Sequence, residues 1–242
     1  IIPCYKVSGF ICDVIRKVAD IVNIIIIVDD CCPEESGALV EKTFTDPRIQ
    51  VIYHTSNLGV GGAVLTGYQA AIEAGATIMV KMDGDGQMDP ALIPEFITPI
   101  ATGEADYTKG NRFFWTDTVW QMPLIRLIGN TGLSFFTKLS SGYWNLFDPT
   151  NGFTAISTKV AEQLPVKKIS HRYFFESDML FRLNILRAVV LDIPMHAKYG
   201  KEQSNLKISQ EFTPFLLKNL LNFSKRIAYN YFIRNFNFAS LE

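Results

Sequence analysis

No run of this sequence approaches the roughly 18 consecutive apolar residues that mark a membrane-spanning helix. Neither sign of charge dominates: 23 Lys and Arg face 24 Asp and Glu, for a formal net charge of −1. That balance lacks the basic excess of a nucleic-acid-binding surface, so no nucleic-acid partner is expected. Cysteine is confined to Cys4, Cys12, Cys31 and Cys32, with none beyond position 32. There is no Cys-x-x-Cys pair, and adjacent Cys31 and Cys32 make a poor disulfide framework. Reduced thiols and a cytosolic setting are expected. No signal peptide is visible. The chain opens at Ile1-Ile2-Pro3, which reads as the middle of a strand. A few leading residues are therefore expected before it, and the missing signal carries little weight. Repeats and low-complexity tracts are also absent.

What is present is a core. Of 242 residues, 48 % are hydrophobic and 19 % charged, enough for one sizeable α/β domain plus an appendage. Short β-like runs alternate with amphipathic segments. The β-branched run Ile24–Val28 reads as a buried strand. Residues 34–44 read as a helix, 49–53 as a strand and 59–74 as a long helix stopped by Gly75. Residues 77–82 form the next strand, and Pro90 opens a helix to about Ile100. This rhythm predicts a mostly parallel sheet with helices on both faces. The second half reads as helix over 121–140, a turn-rich loop Asp148-Pro149-Thr150-Asn151-Gly152-Phe153, helix over 177–186 and strand over 188–193. The expected domain spans 1–206. Beyond it, 207–242 carries Phe212, Phe215, Leu216, Leu220, Phe223, Ile227 and Tyr231 at helical spacing, interleaved with Lys218, Lys225, Arg226 and Arg234. Such a helix suits a membrane interface, or equally a terminal helix that covers the domain's own core.

The densest chemistry is Met82-Asp83-Gly84-Asp85-Gly86-Gln87-Met88-Asp89-Pro90. A strand ending in Asp-x-Asp projects both carboxylates into the crevice at the carboxyl edge of an open α/β sheet, where such sheets bind ligands. Two carboxylates and the Gln87 amide suit Mg²⁺ or Mn²⁺, with phosphate and water completing the coordination. An EF-hand loop starting at Asp83 is excluded, because Met88 and Pro94 stand where glycine and glutamate are required. A phosphatase-type aspartyl nucleophile and a plain helix-capping turn stay open at this stage.

Asp29-Asp30 ends the first complete strand and offers carboxylates to a ribose or a base, or a cap to the next helix. Asn57-Leu58-Gly59-Val60-Gly61-Gly62 opens a helix where backbone can approach an anion. It is neither a dinucleotide fingerprint, since Val64 replaces the third glycine, nor a Walker loop. Arg112 and Arg126 are candidates for gripping phosphate, or ordinary ion-pair partners. Glu176 and Asp178 sit where aromatic residues meet a helix, as dipole partners or as a general base. His171 fits a structural role better.

Taken in order, Ile2-Pro3-Cys4-Tyr5, Val28-Asp29-Asp30, Asn57-Leu58-Gly59-Val60-Gly61, Asp83-Gly84-Asp85-Gly86-Gln87, Gly110-Asn111-Arg112 and Asp148–Phe153 resemble family 2 glycosyltransferases of the GT-A fold. The likeness is greatest to the polyprenyl-phosphate (dolichyl-phosphate mannose synthase) type. The resemblance implies a nucleotide pocket at Pro3, Tyr5, Asp29, Asp30, Asn57, Gly59 and Asp83, and a Mg²⁺ or Mn²⁺ site at Asp83, Asp85 and Gln87. It implies acceptor and leaving-group contacts at Arg112 and Arg126, with Asp85 in the catalytic set; Glu176, or Asp178, joins that set from its own position, as the base that a hydroxyl acceptor would need. The implied reaction is inverting, metal-dependent transfer from a UDP- or GDP-linked sugar to a dolichyl or undecaprenyl phosphate, at the cytoplasmic face of a membrane. The alternative acceptor is a saccharide hydroxyl in cell-surface polysaccharide synthesis. Two departures stand out. Cys31-Cys32-Pro33 replaces the usual Gly-Ser-Pro, and the Gln-x-x-Arg-Trp signature of processive synthases is missing.

Overall fold

The computed structural model describes residues 1–114, 124–196 and 208–234, with backbone alone for 124–128, 130 and 208–212. A three-stranded parallel sheet pairs β1 (Ile2–Cys4), β2 (Ile25–Asp29) and β3 (Ile49–Tyr53) in that order. A four-stranded sheet runs β4 (Ile78–Lys81), β6 (Thr154–Ser157), β5 (Tyr107–Asn111) and β7 (Val190–Pro194). The two are continuous. The Ile1 amino group donates to Val80 O at 2.7 Å, and Met82 N donates to Ile1 O at 3.0 Å.

The isoleucine run in β2 shows why this strand is apolar on every residue. Ile26 and Val28 pack with Ala63, Val64 and Met179, while Ile25 and Ile27 pack with Ile11, Ile15 and Phe96. Side chains alternate faces along a strand, so two buried faces demand an unbroken run. Each such side chain contributes roughly 1.5–3 kcal/mol by leaving water. The first face is covered by the helices Val60–Glu73 and Phe175–Ile185. The second is covered by α1 (Ile11–Val18) and the helix Ile93–Ala101.

The expected elements lie close to the observed ones, with three differences. The sequence reading passed over α1, although Ile11, Val14, Ile15 and Val18 recur at helical spacing and are all buried. The helix expected from residue 34 starts at Ser36, because Glu35 adopts a left-handed φ of 51°. Strand β6 is antiparallel to both of its neighbours. That reversal matters for the site. The chain enters β6 from the edge at which β4 and β5 end, so the loop Asp148–Phe153 arrives beside the residues that leave those strands.

The helix Ile208–Ile227 continues as a π-helical stretch, Ala228–Arg234. One face docks on the domain. Ser140 Oγ donates to Asn219 Oδ1 (2.5 Å), Arg226 donates to the Ser140 and Leu139 carbonyls (3.1 and 3.0 Å), and Phe215 meets the Phe174 ring edge-on. Leu217, Leu220, Leu221, Tyr231, Phe232 and Ile233 are exposed. Both sequence readings of this helix therefore have a face that fits. Among the described residues no helix is long and apolar enough to cross a membrane. The expected boundary at 206/207 lies outside the described residues.

Candidate active site

Strand β4 delivers the paired carboxylates. After Lys81 the chain turns at Asp83–Gln87, with Gly86 at φ +76°, a conformation that favours glycine. Asp83 N–H points at Met88 Sδ (3.3 Å), and Asp85 Oδ1 accepts from Gln87 N (3.0 Å). Asp89 then caps the 3₁₀ turn Pro90–Leu92 by accepting from Ala91 N at 3.1 Å. The Asp83 side chain is one-third exposed.

Beneath it lies a residue the sequence reading missed. Lys81 is 2 % exposed, and its ammonium stands 2.8 Å from Asp83 Oδ1 and 3.6 Å from Glu176 Oε1. Glu176 comes from the first turn of the helix Phe175–Ile185. One ammonium thus ties the Asp-x-Asp turn to the opposite helix. Burial alone would lower the Lys81 pKa, but the carboxylates of Asp83 and Glu176 outweigh it and hold Lys81 above its ordinary value. Glu176 is pushed up by burial, which Lys81 offsets only in part. The signal was legible: a lysine closing an otherwise apolar strand must find a partner or leave the core.

Gly152 completes this corner. A Cβ there would run into Lys81 Nζ and lie 2.7 Å from Asp83 Oδ2. Only a glycine lets the loop pass so close, and its missing side chain leaves room over the second Asp83 oxygen.

Glu176 and Asp178 part company. Asp178 is buried and accepts from Ser170 N (2.8 Å) and Asn222 Nδ2 (2.9 Å). It anchors a loop and the C-terminal helix, so the candidacy of Asp178 as a base gives way to Glu176.

The Asp29 and Asp30 carboxylates are engaged within the chain. Asp29 accepts from Cys32 N and Gly37 N, both at 2.7 Å. Asp30 accepts from Leu58 N (2.8 Å) and Gly59 N (2.7 Å), and contacts His54 Nδ1 at 2.7 Å. The helix-capping alternative is thus realised for Asp29, whose oxygens hold the turn that starts the helix Ser36–Thr43. The Asn57–Gly62 groups expected to approach an anion are engaged within the chain. Gly61 N and Gly62 N donate to the His171 carbonyl at 2.7 and 3.2 Å, and Asn57 Nδ2 donates to Asp30 O at 3.2 Å. The glycines let residues 170–175 press on the helix start: a Cβ on Gly61 would meet Ser170 O and the Phe175 ring. Pro3 pairs with Val28 inside the sheet, while Tyr5 is exposed with Lys6 Nζ 5.5 Å from its ring centre.

Arg112 leaves the end of β5 and is gripped by Asp148. Its Nε and one terminal nitrogen each donate to a carboxylate oxygen at 2.7 Å. Burial would raise Asp148, but the Arg112 guanidinium holds it below the usual carboxylate range. Arg112 is thus an ion-pair member first. The Arg126 side chain lies outside the described residues. A second buried lysine, Lys109, staples the same loop by donating to the Phe147 and Asp148 carbonyls at 2.9 and 2.6 Å.

The metal question turns on the donor set. Among the described residues no group of three or more His, Cys, Asp or Glu side chains is arranged to hold a metal unaided. Two carboxylates on one turn, with space left open by Gly152 over Asp83 Oδ2, fit a hard dication that takes its other ligands from diphosphate and water.

This geometry has a counterpart in sequence. Residues 1–164 match the family model of glycosyl transferase family 2. The chain belongs to glycosyl transferase family 2. It is a glycosyltransferase. A UDP-N-acetylglucosamine–dolichyl-phosphate N-acetylglucosaminyltransferase of Methanococcus voltae is 30 % identical over 213 residues, covering 82 % of this chain and 84 % of that one. The polyprenol monophosphomannose synthase of Mycolicibacterium smegmatis is 28 % identical, covering 71 % and 65 %. An undecaprenyl-phosphate mannosyltransferase of Micrococcus luteus is 27 % identical, covering 71 % and 70 %. Among solved structures, glucosyl-3-phosphoglycerate synthase of Mycobacterium tuberculosis, crystallised with Mn²⁺, UDP and glucosyl-3-phosphoglycerate, superposes with a TM-score of 0.67. The match is 15 % identical over 93 % of this chain and 77 % of that one. That likeness shows the fold, which is GT-A. Within this family-2 glycosyltransferase, Asp83, Asp85 and Glu176 therefore gather at the carboxyl edge of the sheet, where open α/β folds bind their ligands.

Proposed function

We propose that this glycosyltransferase transfers a sugar from a UDP- or GDP-linked donor to a polyprenyl phosphate, with inversion at the anomeric carbon. The observation that carries the reading is the Asp83–Asp85 turn at the sheet edge, tied by Lys81 to Glu176. The activities for which the three relatives are named support the acceptor class. Asp83 and Asp85, with Gln87, would hold a Mg²⁺ or Mn²⁺ ion. Held there, such an ion would supply positive charge opposite a leaving diphosphate. Pro3 and Tyr5 border the nucleotide. Asp29 and Asp30 shape its pocket by fixing the turns at Cys32 and Gly59.

A lipid phosphate is ionised near neutral pH and needs little help from a base. Its difficulty is repulsion from the diphosphate, which Arg112 and Arg126 offset. Arg112 would do so while Asp148 fixes the plane of its guanidinium. The exposed face of the C-terminal helix, with Leu217, Leu220 and Leu221 beside Lys218 and Lys225, supports peripheral attachment to the cytoplasmic face of a membrane.

A second reading is favoured by Glu176. A buried carboxylate with a raised pKa beside the Asp-x-Asp turn suits a general base, which a saccharide hydroxyl acceptor requires. The deciding experiment incubates the protein with radiolabelled sugar nucleotides, Mn²⁺ and polyprenyl phosphate, then extracts with organic solvent. Label in the organic phase supports the lipid acceptor. Label confined to water-soluble glycan overturns it.

A further inference from the structure

Lys81 has no place in the reaction as set out above, yet it is among the most thoroughly buried large side chains of the protein. A buried ammonium persists only where carboxylates compensate it. Here the compensation comes from the site itself: Asp83 Oδ1 at 2.8 Å and Glu176 Oε1 at 3.6 Å, with Asp85 also acting on its charge. Three carboxylates and one ammonium leave this corner with two negative charges when all are ionised. The other Asp83 oxygen faces the gap left by Gly152.

We propose that Lys81 is a positioning residue, a resident cation that takes one oxygen of Asp83 and keeps the Asp83–Asp85 turn a weak metal site until the donor diphosphate arrives. The inference rests on the metal reading above. Physically, an incoming dication meets Asp83 through one oxygen only and feels the repulsion of the ammonium behind it. A diphosphate reverses the balance, because it brings negative charge and its own oxygen ligands. Metal and donor therefore load together. Lys81 also orients Glu176 from the opposite helix, so that the metal turn and the candidate base are set by one cation.

The test measures binding of Mn²⁺ alone, without nucleotide, by water-proton relaxation enhancement. Lys81→Met is expected to bind Mn²⁺ about tenfold more tightly than wild type, the scale of removing one partly screened charge near a dication. A role confined to stability would move the affinity the other way or not at all. Should Lys81→Met fail to fold, the double variant Lys81→Met with Glu176→Gln keeps the net charge and removes the buried pair whole. It too is expected to bind Mn²⁺ more tightly, because both Asp83 oxygens are released. Affinity equal to or weaker than wild type in the folded variant overturns the role of Lys81. Failure of wild type and variants alike to take up Mn²⁺ overturns the metal site, and this inference with it.

Discussion

Arg112 and Asp148 meet across 36 positions of sequence through two parallel hydrogen bonds of 2.7 Å. The Arg112 backbone N–H adds a third at 3.1 Å, and Asn151 Nδ2 donates to the same carboxylate at 3.0 Å. The pair fastens the end of β5 to the loop that carries Gly152 past Lys81 and Asp83. An arginine that sequence suggested for phosphate thus first builds the wall on which the site stands.

Removing the Arg112 side chain takes from the buried Asp148 carboxylate its ion-pair partner and leaves it only Lys109, Asn151 and a backbone N–H. Arg112→Ala is expected to cost about 3 kcal/mol in denaturant unfolding. The sign with pH follows from the depressed Asp148 pKa. Its stabilisation is present above the ordinary aspartate pKa and is lost as pH falls through the lower folded value. The variant should therefore lose stability already at pH 7. Unfolding curves that coincide with wild type at that pH would show the pair to be inert.

Asp83→Ala and Asp85→Ala are expected to lower sugar transfer by about 10³-fold or more, the scale of losing a metal's charge stabilisation. Chelation by EDTA should do the same to wild type and nothing further to the variants. Wild-type turnover that survives EDTA would remove the metal from the mechanism.

Glu176→Gln separates the two acceptor classes. With a saccharide hydroxyl, kcat should drop by about 10²–10⁴-fold, and the rising limb of the wild-type pH profile should lie above the ordinary carboxylate range, since burial raises Glu176. With a lipid phosphate, kcat should change little. A large drop with lipid phosphate as acceptor would assign Glu176 a role beyond proton removal.

Gly61 and Gly75 offer a contrast in what a methyl group costs. At Gly61 a Cβ would lie 2.7 Å from Ser170 O and 2.6 Å from the Phe175 ring, so Gly61→Ala should destabilise by more than about 2 kcal/mol. At Gly75 the space is open but φ is +80°, so Gly75→Ala should cost about 1 kcal/mol from backbone strain alone. Melting temperatures in the reverse order would refute the packing role given to Gly61.

The C-terminal helix makes a physical prediction about lipid. Leu217→Asp with Leu221→Asp should reduce co-sedimentation with anionic vesicles and leave the melting temperature near wild type, since both side chains are exposed. Unchanged sedimentation would leave the helix as a cover for the domain.

What the sequence determined by itself was the local pattern. The β2 run, the helix over Val60–Glu73 and the Asp-x-Asp turn after β4 are set by alternation, periodicity and turn chemistry within a few residues, and they stand where those signals put them. The family resemblance was legible for the same reason, since its motifs are short and contiguous. Only tertiary structure decided the partners. Asp148 could be matched to Arg112, Lys81 to Glu176, and the His171 carbonyl to the Gly61 N–H only after an antiparallel β6 and the Phe175–Ile185 helix had folded back on the sheet. A charged or polar group buried in a core takes whichever counterpart lies within hydrogen-bond reach, and that counterpart is fixed by three-dimensional packing rather than by distance along the chain.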